Sequence, residues 1–318
     1  MKSSFHSQWR RELQEFINFR RTYLTSEWPE AKLRLFDSFA TAHPRVPLPE
    51  VIAMWLQRNA TRNPKTRHND LIAIRQFCVY RRRFDPAAFV PESIGPSAAV
   101  RLHVKACILS PKQIKRLINT IDELRGSPLR HARLRALVLV LYCTGLRIGE
   151  ATRLRLSDID LRRAYFRIGP SKGRIRLVPF GRDLATELKH LLNCRRHAGF
   201  VLTPQTPLFE REDGRPENRS NARTSLNTLF RRCGFKPKRG SGRGGLRVHD
   251  LRHNFGVHRL QKFYRAGIDP TPLLPWVSAY MGHVNLLGTQ RYLQATPQTL
   301  AAVSHRFRRS LGFDPAKP

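Results

Sequence analysis

Three separated segments of the sequence hold the side chains that could do chemistry. TGLRIGE (Thr144–Glu150) follows a strongly apolar stretch, and VHDLRH carries His249 and Arg252 three residues apart. Side chains at this spacing lie on the same face of a helix, although the same spacing recurs at His305 and Arg308 and is a weak signal alone. The third segment, YMGH, ends at His283, and Tyr292 follows nine residues later. Because arginine binds phosphate oxygens and a tyrosine hydroxyl is a nucleophile, the set favours chemistry on a phosphodiester.

The sequence lacks the motifs of several other phosphate-directed or hydrolytic enzymes. It contains no GxxxxGK[ST] phosphate loop, no HExxH and no calcium-loop pattern. Acidic residues are scarce, with 23 Asp and Glu against 58 Lys and Arg, which argues against a carboxylate-clustered two-metal nuclease. If the protein cuts phosphodiesters, we expect it to use cations and a side-chain nucleophile, without metal, ATP or another cofactor.

The elements that must position these segments are mostly helices. In the N-terminal part, apolar residues at helical spacing predict four helices, at Trp9–Thr22, Ala31–Thr41, Pro49–Gln57 and Arg67–Arg82. Between Phe84 and Leu109 several prolines interrupt the helical period. Proline fixes φ and removes a hydrogen-bond donor, so this stretch indicates a linker between two domains.

The C-terminal part combines further helices with short β-like pieces. Ser110-Pro111-Lys112-Gln113 is a capping-box pattern with proline at the first helical position, and it predicts a helix to Arg125. Alternating residues over Tyr165–Phe180 predict a hairpin around the turn Pro170–Gly173. The other expected helices are His131–Tyr142, Asp183–Asn193, Ser220–Cys233, Val248–Phe263, Leu274–Met281, Gly288–Leu293 and Gln298–Leu311.

The net charge identifies the kind of partner. The chain of 318 residues carries a formal charge of +35, and like charges at this density repel one another unless a polyanion is present. Nucleic acid is the expected partner, because each phosphate that a Lys or Arg neutralises releases a counterion. With 41% hydrophobic residues the chain can build cores, so it is too apolar for a disordered basic tail.

The spacing of the cysteines and the length of the apolar runs indicate the cellular compartment of the protein. The longest apolar run, Ala136–Cys143, is much shorter than the roughly 20 residues needed to span a bilayer. The N-terminal stretch has no apolar segment of the kind that marks a secretory signal. Five scattered cysteines without a CxxC pair fit neither a disulfide framework nor a zinc site and indicate a reducing compartment. We therefore expect a cytoplasmic, nucleoid-associated protein.

Taken together and in this order, the motifs resemble those of a known protein family. TGLRxxE, a hairpin lysine, HxLRH, GH and a tyrosine together resemble the catalytic domain of the tyrosine recombinase (phage-integrase-type) family, over about Ser110–Leu311. The preceding helices resemble that family's N-terminal core-binding domain by position and helical character. The stretch Tyr280–Leu300 resembles transposon-borne recombinases that work in groups of three. The resemblance implies metal-free cleavage through a 3′-phosphotyrosine.

The resemblance also assigns the site residues. It implies a catalytic set of six side chains, namely Arg147, Lys172, His249, Arg252, His283 and Tyr292. The two arginines would grip the scissile phosphate, because forked guanidinium groups offset its growing negative charge. Lys172 would act as the general acid that protonates the leaving oxygen, and Tyr292 as the nucleophile. Glu150 and His253 would support this set.

Several assignments within the set stay open. A neutral imidazole can shuttle the tyrosine proton or donate to a phosphate oxygen, and the sequence does not divide these tasks between the two catalytic histidines. Arg174 is the nearest rival of Lys172. Tyr264 and Tyr280 compete with Tyr292 for the role of nucleophile, but only Tyr292 has the spacing.

The resemblance and the charge together define domains and partners. We predict a helical core-binding domain at residues 1–96, a linker at 97–109 and an α+β catalytic domain with a helical tail at 110–318, so the fold is mainly α with a small antiparallel β-sheet. The domains would form a clamp around double-stranded DNA. The family implies a homotetramer on two DNA sites, alone or with other recombinases, and the tail would dock on a neighbouring protomer.

Two basic groups outside the catalytic set are expected to contact DNA. One lies in the fourth N-terminal helix and the other in the Gly-rich loop Lys236–Gly245; their members are Arg75, Arg81, Arg82, Lys238, Arg239 and Arg243. Phosphate tracking by such cations would be independent of base sequence.

The leading hypothesis is therefore a site-specific DNA recombinase, integrase or transposase. Two alternatives stay open. A type IB topoisomerase would share much of the pocket but relax supercoils as a monomer, and a basic architectural protein would carry the catalytic-looking residues by coincidence.

Overall fold

A computed structural model of the protein describes residues 5–23, 28–92, 106–169, 175–237 and 244–283. The chain divides into two compact units, Met1–Lys105 and Ala106–Pro318. The boundary between the units falls inside the predicted linker, residues 97–109.

The first unit is helical. It contains α1 (Arg10–Tyr23), α2 (Trp28–Ala40), α3 (Leu48–Arg58) and α4 (Pro64–Arg81). Each helix turns an apolar stripe toward a shared core, in which Leu13, Phe36, Val51 and Phe77 are 0% exposed. Helix α4 begins where the Asn63 side chain accepts a hydrogen bond from the Lys65 backbone N–H at 3.0 Å.

The second unit combines helices with a small sheet. Its helices are α5 (Pro111–Asp122), α6 (Pro128–Thr144), α7 (Ile148–Ala151), α8 (Arg182–His197), α9 (Arg219–Arg232), α10 (Val248–Arg265) and α11 (Leu274–Met281). The strands β1 (Ile159–Asp160), β2 (Tyr165–Ile168) and β3 (Arg176–Pro179) form an antiparallel sheet in that order. Phe166 pairs with Val178, and Ile168 pairs with Arg176.

Helix α6 is central to the second unit. Leu137, Val138, Val140 and Leu141 are each at most 2% exposed, because α6 packs against α5, α8 and α10. A helix covered on several sides needs apolar residues around most of its circumference, which explains the apolar run in the sequence. Its C-terminal end carries the turn from which the candidate site is built.

The predicted fold class is confirmed, since the chain is mainly helical with one small antiparallel sheet in the described residues. The predicted capping box forms: Gln113 N–H donates to Ser110 Oγ at 3.3 Å, and Ser110 N–H donates to Gln113 Oε1 at 2.8 Å. Strand β1 was not predicted, because two residues carry no alternation pattern. The turn Pro170–Gly173 and the helices expected at Gly288–Leu293 and Gln298–Leu311 lie outside the described residues.

None of the helices in the described residues has the length and apolar character that a membrane crossing requires. Across the same ranges, no three or more His, Cys, Asp or Glu side chains are grouped so that they could hold a metal ion.

Candidate active site

The turn after α6 places the first predicted arginine. Helix α6 ends at Thr144 and is capped by Gly145, which has a left-handed φ of 64°. A Cβ at this position would lie 2.6 Å from Phe255 Cδ1, so both the backbone conformation and the close packing require glycine. Two residues later Arg147 precedes the short helix α7, and its side chain is 36% exposed. The guanidinium is thus held at the surface by a rigid turn.

Glu150 lies beneath Arg147 and is buried, with its side chain 2% exposed. Arg147 donates to it twice, from the backbone N–H at 2.8 Å and from Nη1 at 3.0 Å, and Arg176 Nη2 donates at 2.9 Å. Burial alone would raise the pKa of Glu150, but these hydrogen bonds and the two positive charges hold its pKa below the usual value. Glu150 is therefore an anionic support that orients two arginines.

Arg252 projects from the first turns of α10 and is 1% exposed. Its Nη1 donates to the Gly145 carbonyl at 2.6 Å and its Nη2 donates to the Met281 carbonyl at 2.7 Å. Arg147 Nη2 donates to the neighbouring Gly282 carbonyl at 2.9 Å. The carbonyls at the ends of α6 and α11 have no partner within their own helices, so they fix both arginines in place.

The predicted histidines lie within the field of these arginines. Partial desolvation and the charges of Arg252 and Arg147 lower the pKa of His249 to about 4, although its side chain remains exposed to solvent. Burial, with the same two charges and His249, lowers the pKa of His283 to about 3. Both imidazoles are consequently neutral at pH 7 and each can either accept or donate a proton.

His253 lies one helical turn beyond His249. The two rings are 4.7 Å apart between centroids and nearly perpendicular, at 88°, and His253 is 7% exposed. The next residue, Asn254, is fully buried: its Oδ1 accepts from the Leu109 N–H at 2.7 Å, and its Nδ2 donates to the Cys107 carbonyl at 2.9 Å. These bonds tie the segment before α5 to the helix that carries Arg252.

Arg176 is a site residue that sequence reasoning missed. Besides Glu150, it contacts the end of α11, where its Nε donates to the Tyr280 carbonyl at 3.1 Å. The available signal was the alternation in RIRLVPF, which puts Arg176 on the same inward face of β3 as the buried Val178. An inward-facing arginine in a short strand requires a carboxylate partner, and Glu150 supplies it.

The rival tyrosines are placed unfavourably for attack on a phosphate. Tyr280 donates its hydroxyl proton to the Pro179 carbonyl at 2.7 Å and stacks on Phe255, and burial raises its pKa to about 12. Tyr264 lies twelve residues after Arg252 on α10, roughly 18 Å along the helix axis. Burial and the hydrogen bond to the Pro179 carbonyl disfavour ionisation of Tyr280, and Tyr264 is separated from Arg252 by distance.

The remaining predicted residues fall into two groups. Lys172, Tyr292, Lys238, Arg239 and Arg243 lie outside the described residues. In the first unit, Arg75 Nε donates to the Pro91 carbonyl at 3.2 Å and Arg82 Nε donates to the Ala88 carbonyl at 3.0 Å, while Arg81 forms an ion pair with Glu12. These three cations hold local structure, and their predicted contact with DNA stays a prediction.

The geometry thus brings four predicted side chains together, Arg147, Arg252, His249 and His283, above a buried carboxylate. Two arginines and two neutral histidines have the chemistry that a phosphate diester requires, since guanidinium groups can bind non-bridging oxygens and imidazoles can move protons.

Residues 108–299 match the phage integrase family. The integrase/recombinase y4rB of Sinorhizobium fredii is 30% identical over 317 residues, which cover 95% of this chain and 98% of that protein. The tyrosine recombinase XerA of Pyrococcus furiosus is 29% identical over 201 residues, or 62% of this chain and 60% of that protein.

Solved structures show the same fold. The Tn1549 transposon integrase in complex with transposon right end DNA matches with a TM-score of 0.66 at 17% identity, over 93% of this chain and 99% of that one. The XerH site-specific recombinase bound to a palindromic difH substrate matches with a TM-score of 0.64 at 17% identity, over 95% and 90% of the two chains.

Proposed function

The chain belongs to the phage integrase family, and we propose that Arg147, Lys172, His249, Arg252, His283 and Tyr292 carry out its reaction. The protein is a site-specific tyrosine recombinase, an enzyme that cleaves and rejoins strands of double-stranded DNA. The six residue assignments, their individual tasks and the assembly in which they act are proposals.

The cleavage step exchanges one phosphodiester for another. Tyr292 Oη attacks the scissile phosphorus and forms a 3′-phosphotyrosine, while the bond from phosphorus to the 5′-oxygen breaks. The tyrosine proton passes to a histidine, and Lys172 donates a proton to the departing 5′-oxygen. Rejoining runs in reverse, with a 5′-hydroxyl as nucleophile and the tyrosine as leaving group, so the number of phosphodiester bonds is conserved and no ATP is needed.

The fixed positions of the arginines are the observation that carries this proposal. Each guanidinium is held by carbonyls at helix ends, and Arg147 also by the buried Glu150. Donors that are already oriented need no reorganisation when charge grows on the phosphate, which is the main requirement for stabilising its transition state. In a basic protein that only binds DNA, nothing would require the side chains of Arg147 and Arg252 to be fixed by these contacts.

The neutral histidines fit the proton transfers. With pKa values lowered to about 4 and about 3, His249 and His283 are neutral at pH 7. A neutral imidazole can accept the proton of Tyr292 on its bare nitrogen, and it can donate to a phosphate oxygen from its N–H. The division of these two tasks stays open.

Double-stranded DNA is the substrate, and four protomers on two DNA sites are the proposed assembly. Exchange of strands needs two duplexes cut at once, so one catalytic site for each of four strands matches the chemistry. Transposon-borne recombinases that act in groups of three are the predicted subgroup, and the tail beyond Tyr292 is the predicted docking segment.

The topoisomerase and architectural alternatives are not favoured. Residues 108–299 match the phage integrase family, and the relative that is similar along nearly the whole chain is an integrase/recombinase.

A covalent trap tests the residue assignments. The substrate is a DNA duplex with the sequence that flanks the gene, and one strand carries a nick next to the cleavage site. After cleavage the short fragment with the free 5′-hydroxyl dissociates, so rejoining cannot occur and the protein stays attached to the DNA. A denaturing gel would show the covalent adduct. We expect the adduct with the wild type and none with Tyr292→Phe. An adduct that persists in Tyr292→Phe would remove Tyr292 as the nucleophile.

A further inference from the structure

Arg176 contacts two groups that hold the side chain of Arg147. Arg147 Nη1 donates to Glu150 Oε1 at 3.0 Å, and its Nη2 donates to the Gly282 carbonyl at 2.9 Å. Arg176 Nη2 donates to the other carboxylate oxygen, Glu150 Oε2, at 2.9 Å. A Cβ at Gly282 would lie 2.7 Å from Arg176 Nη1, so the Arg176 guanidinium packs directly against this glycine. The position of Arg147 therefore depends on groups that Arg176 also touches.

The carboxylate of Glu150 is shared so that Arg147 binds it through one side-chain nitrogen. A carboxylate and a guanidinium can pair through two parallel hydrogen bonds, one to each oxygen. At Glu150 this forked pair does not form, because Oε1 accepts from Arg147 Nη1 whereas Oε2 accepts from Arg176 Nη2 and from the Arg147 backbone N–H. The guanidinium of Arg147, which is 36% exposed, thus keeps N–H groups that Glu150 does not bind.

Three consecutive carbonyls at the C-terminal end of α11 bind three different arginines. They are the carbonyls of Tyr280, Met281 and Gly282, which accept from Arg176, Arg252 and Arg147 in that order, at 3.1, 2.7 and 2.9 Å. The C-terminal end of a helix carries partial negative charge, so it favours such cations. Gly282 has a φ of 67°, in the left-handed region, and turns the chain at this point. From strand β3, Arg176 thus holds the turn that presents the Gly282 carbonyl to Arg147.

Loss of the Arg176 guanidinium would change how Glu150 and Arg147 pair. The Glu150 side chain is 2% exposed, so little water can replace the missing donor at Oε2. A buried carboxylate that loses a partner is costly, and Arg147, which already binds Oε1, can rotate to satisfy it. The forked pair would then form, and N–H groups of Arg147 would turn from the phosphate toward Glu150.

The geometry points to Arg176 as a positioning residue that holds Glu150 Oε2 and the end of α11, so that the guanidinium of Arg147 stays available to the scissile phosphate. This inference rests on the proposed function, because it takes Arg147 as a phosphate-binding residue. Arg176 is 15% exposed and acts through Glu150 and α11 without contacting the phosphate.

A double-mutant cycle on Arg176 and Glu150 tests this role. Arg176→Met removes the charge and the donors, and we expect covalent-adduct formation on saturating nicked DNA to fall roughly 10- to 100-fold, because Arg147 is misplaced. DNA affinity should stay within about threefold of the wild type, since many other phosphate contacts contribute to binding. Single-turnover adduct rates and a DNA titration measure the two quantities.

The double variant gives a readout that a merely structural role would not produce. Glu150→Gln alone should slow adduct formation about tenfold, equivalent to roughly 1.4 kcal/mol. Once Glu150 is neutralised, no carboxylate remains to draw Arg147 away, so the addition of Arg176→Met should cost less than about threefold more. Independent effects would multiply instead and would slow the double variant roughly 100- to 1000-fold.

Arg133 supplies the matched control, because it also pairs with a buried carboxylate. Its side chain is 12% exposed, and its Nη1 lies 3.1 Å from Oε2 of Glu217, which is 3% exposed. Arg133→Met should lower stability and leave the adduct rate of the folded protein within about threefold of the wild type.

Two further substitutions complete the series. Arg176→Lys keeps a cation for Glu150 Oε2, so its loss of rate should be smaller than that of Arg176→Met. Arg176→Gln takes the place of Arg176→Met in the cycle if the latter does not fold.

The outcomes separate the two proposals. The positioning role is overturned if the loss in the double variant equals the product of the single losses, if Arg176→Met is as fast as the wild type, or if Arg133→Met or Arg176→Lys is as slow as Arg176→Met. In each of these cases the recombinase assignment stands. If the wild type forms no adduct, the residue assignments of the proposed function fail, and this inference fails with them.

Discussion

Arg252 and Arg195 are equally buried, each 1% exposed, and they lie in the same unit, yet their surroundings differ. Arg195 on α8 donates to the carbonyls of Pro207 and Leu208 and forms an ion pair with Glu210. Arg252 donates to the carbonyls of Gly145 and Met281, which are neutral, and its charge acts on two histidines. Burial alone therefore does not mark an active site.

The two arginines differ in the groups that surround the guanidinium charge. At Arg195 an adjacent carboxylate offsets the charge and closes a loop onto α8, which is a structural task. At the candidate site the carboxylate of Glu150 binds Arg147 and Arg176 together, and Arg252 donates to two carbonyls at helix ends. Guanidinium groups that are held in this way have the charge to attract an added anion, such as a phosphate.

The largest expected difference comes from Lys substitutions at the two buried arginines. Arg252→Lys loses the forked geometry, and we expect strand cleavage to fall about 100- to 1000-fold. Arg195→Lys should lower the free energy of unfolding by up to about 3 kcal/mol and leave the cleavage rate of the folded protein unchanged. Adduct formation and urea unfolding measure the two effects. The comparison breaks if both variants lose activity in proportion to stability.

A smaller difference is expected from the two carboxylates. Glu150→Gln keeps the shape but removes the charge that orients Arg147, so cleavage should fall about tenfold, equivalent to roughly 1.4 kcal/mol. Glu210→Gln, its counterpart beside Arg195, should change cleavage less than about twofold while it lowers stability. A Glu210→Gln variant as slow as Glu150→Gln would show that both carboxylates act only through stability.

The pH dependence of stability is expected to differ between a histidine at the candidate site and one elsewhere in the second unit. The pKa of His249 is lowered to about 4 and that of His283 to about 3, against about 6.5 when unfolded. The unfolded chain then binds more protons as pH falls from 6.5 toward these values, so the stability of the free protein should decline across this window. Urea unfolding at pH 7, 5.5 and 4.5 should show a shallower decline for His249→Gln than for the wild type.

His197→Gln supplies the control for that series, because His197 is exposed on α8 and distant in sequence from the site. It should follow the wild-type pH dependence. If His249→Gln also follows it, the desolvated environment assigned to His249 is wrong.

Sequence reasoning found the helices because their signals are local. The stripe in α1 and the capping box of Ser110 depend only on neighbouring residues, and both appear where they were predicted. The order of the motifs along the chain predicted that Arg147 and Arg252 belong to one site. The reason they are fixed there is not local: Gly145, Met281 and Gly282 supply carbonyls from helix ends that are far apart in the sequence.

Arg176 shows the same limit. Its alternation in β3 predicts an inward side chain, but its partner Glu150 is separated from it by 26 residues and lies on another element. The sequence gives no distance between the two residues, so the alternation alone did not single out Arg176 as a site residue. Conversely, the expected contacts of Arg75, Arg81 and Arg82 with DNA came from charge density, which does not reveal that Pro91, Ala88 and Glu12 already bind these side chains.

The smallest expected effect concerns Tyr280, which lies between the site and the sheet. Its hydroxyl donates to the Pro179 carbonyl, and burial raises its pKa to about 12, which is the wrong direction for a nucleophile. Tyr280→Phe should therefore lower the free energy of unfolding by about 1 kcal/mol, the net value of one hydrogen bond. Adduct formation should remain within about threefold of the wild type, because only the contact between α11 and β3 is weakened. Loss of the adduct in Tyr280→Phe would instead make Tyr280 the nucleophile and would place the reacting phosphate beside β3 rather than between Arg147 and Arg252.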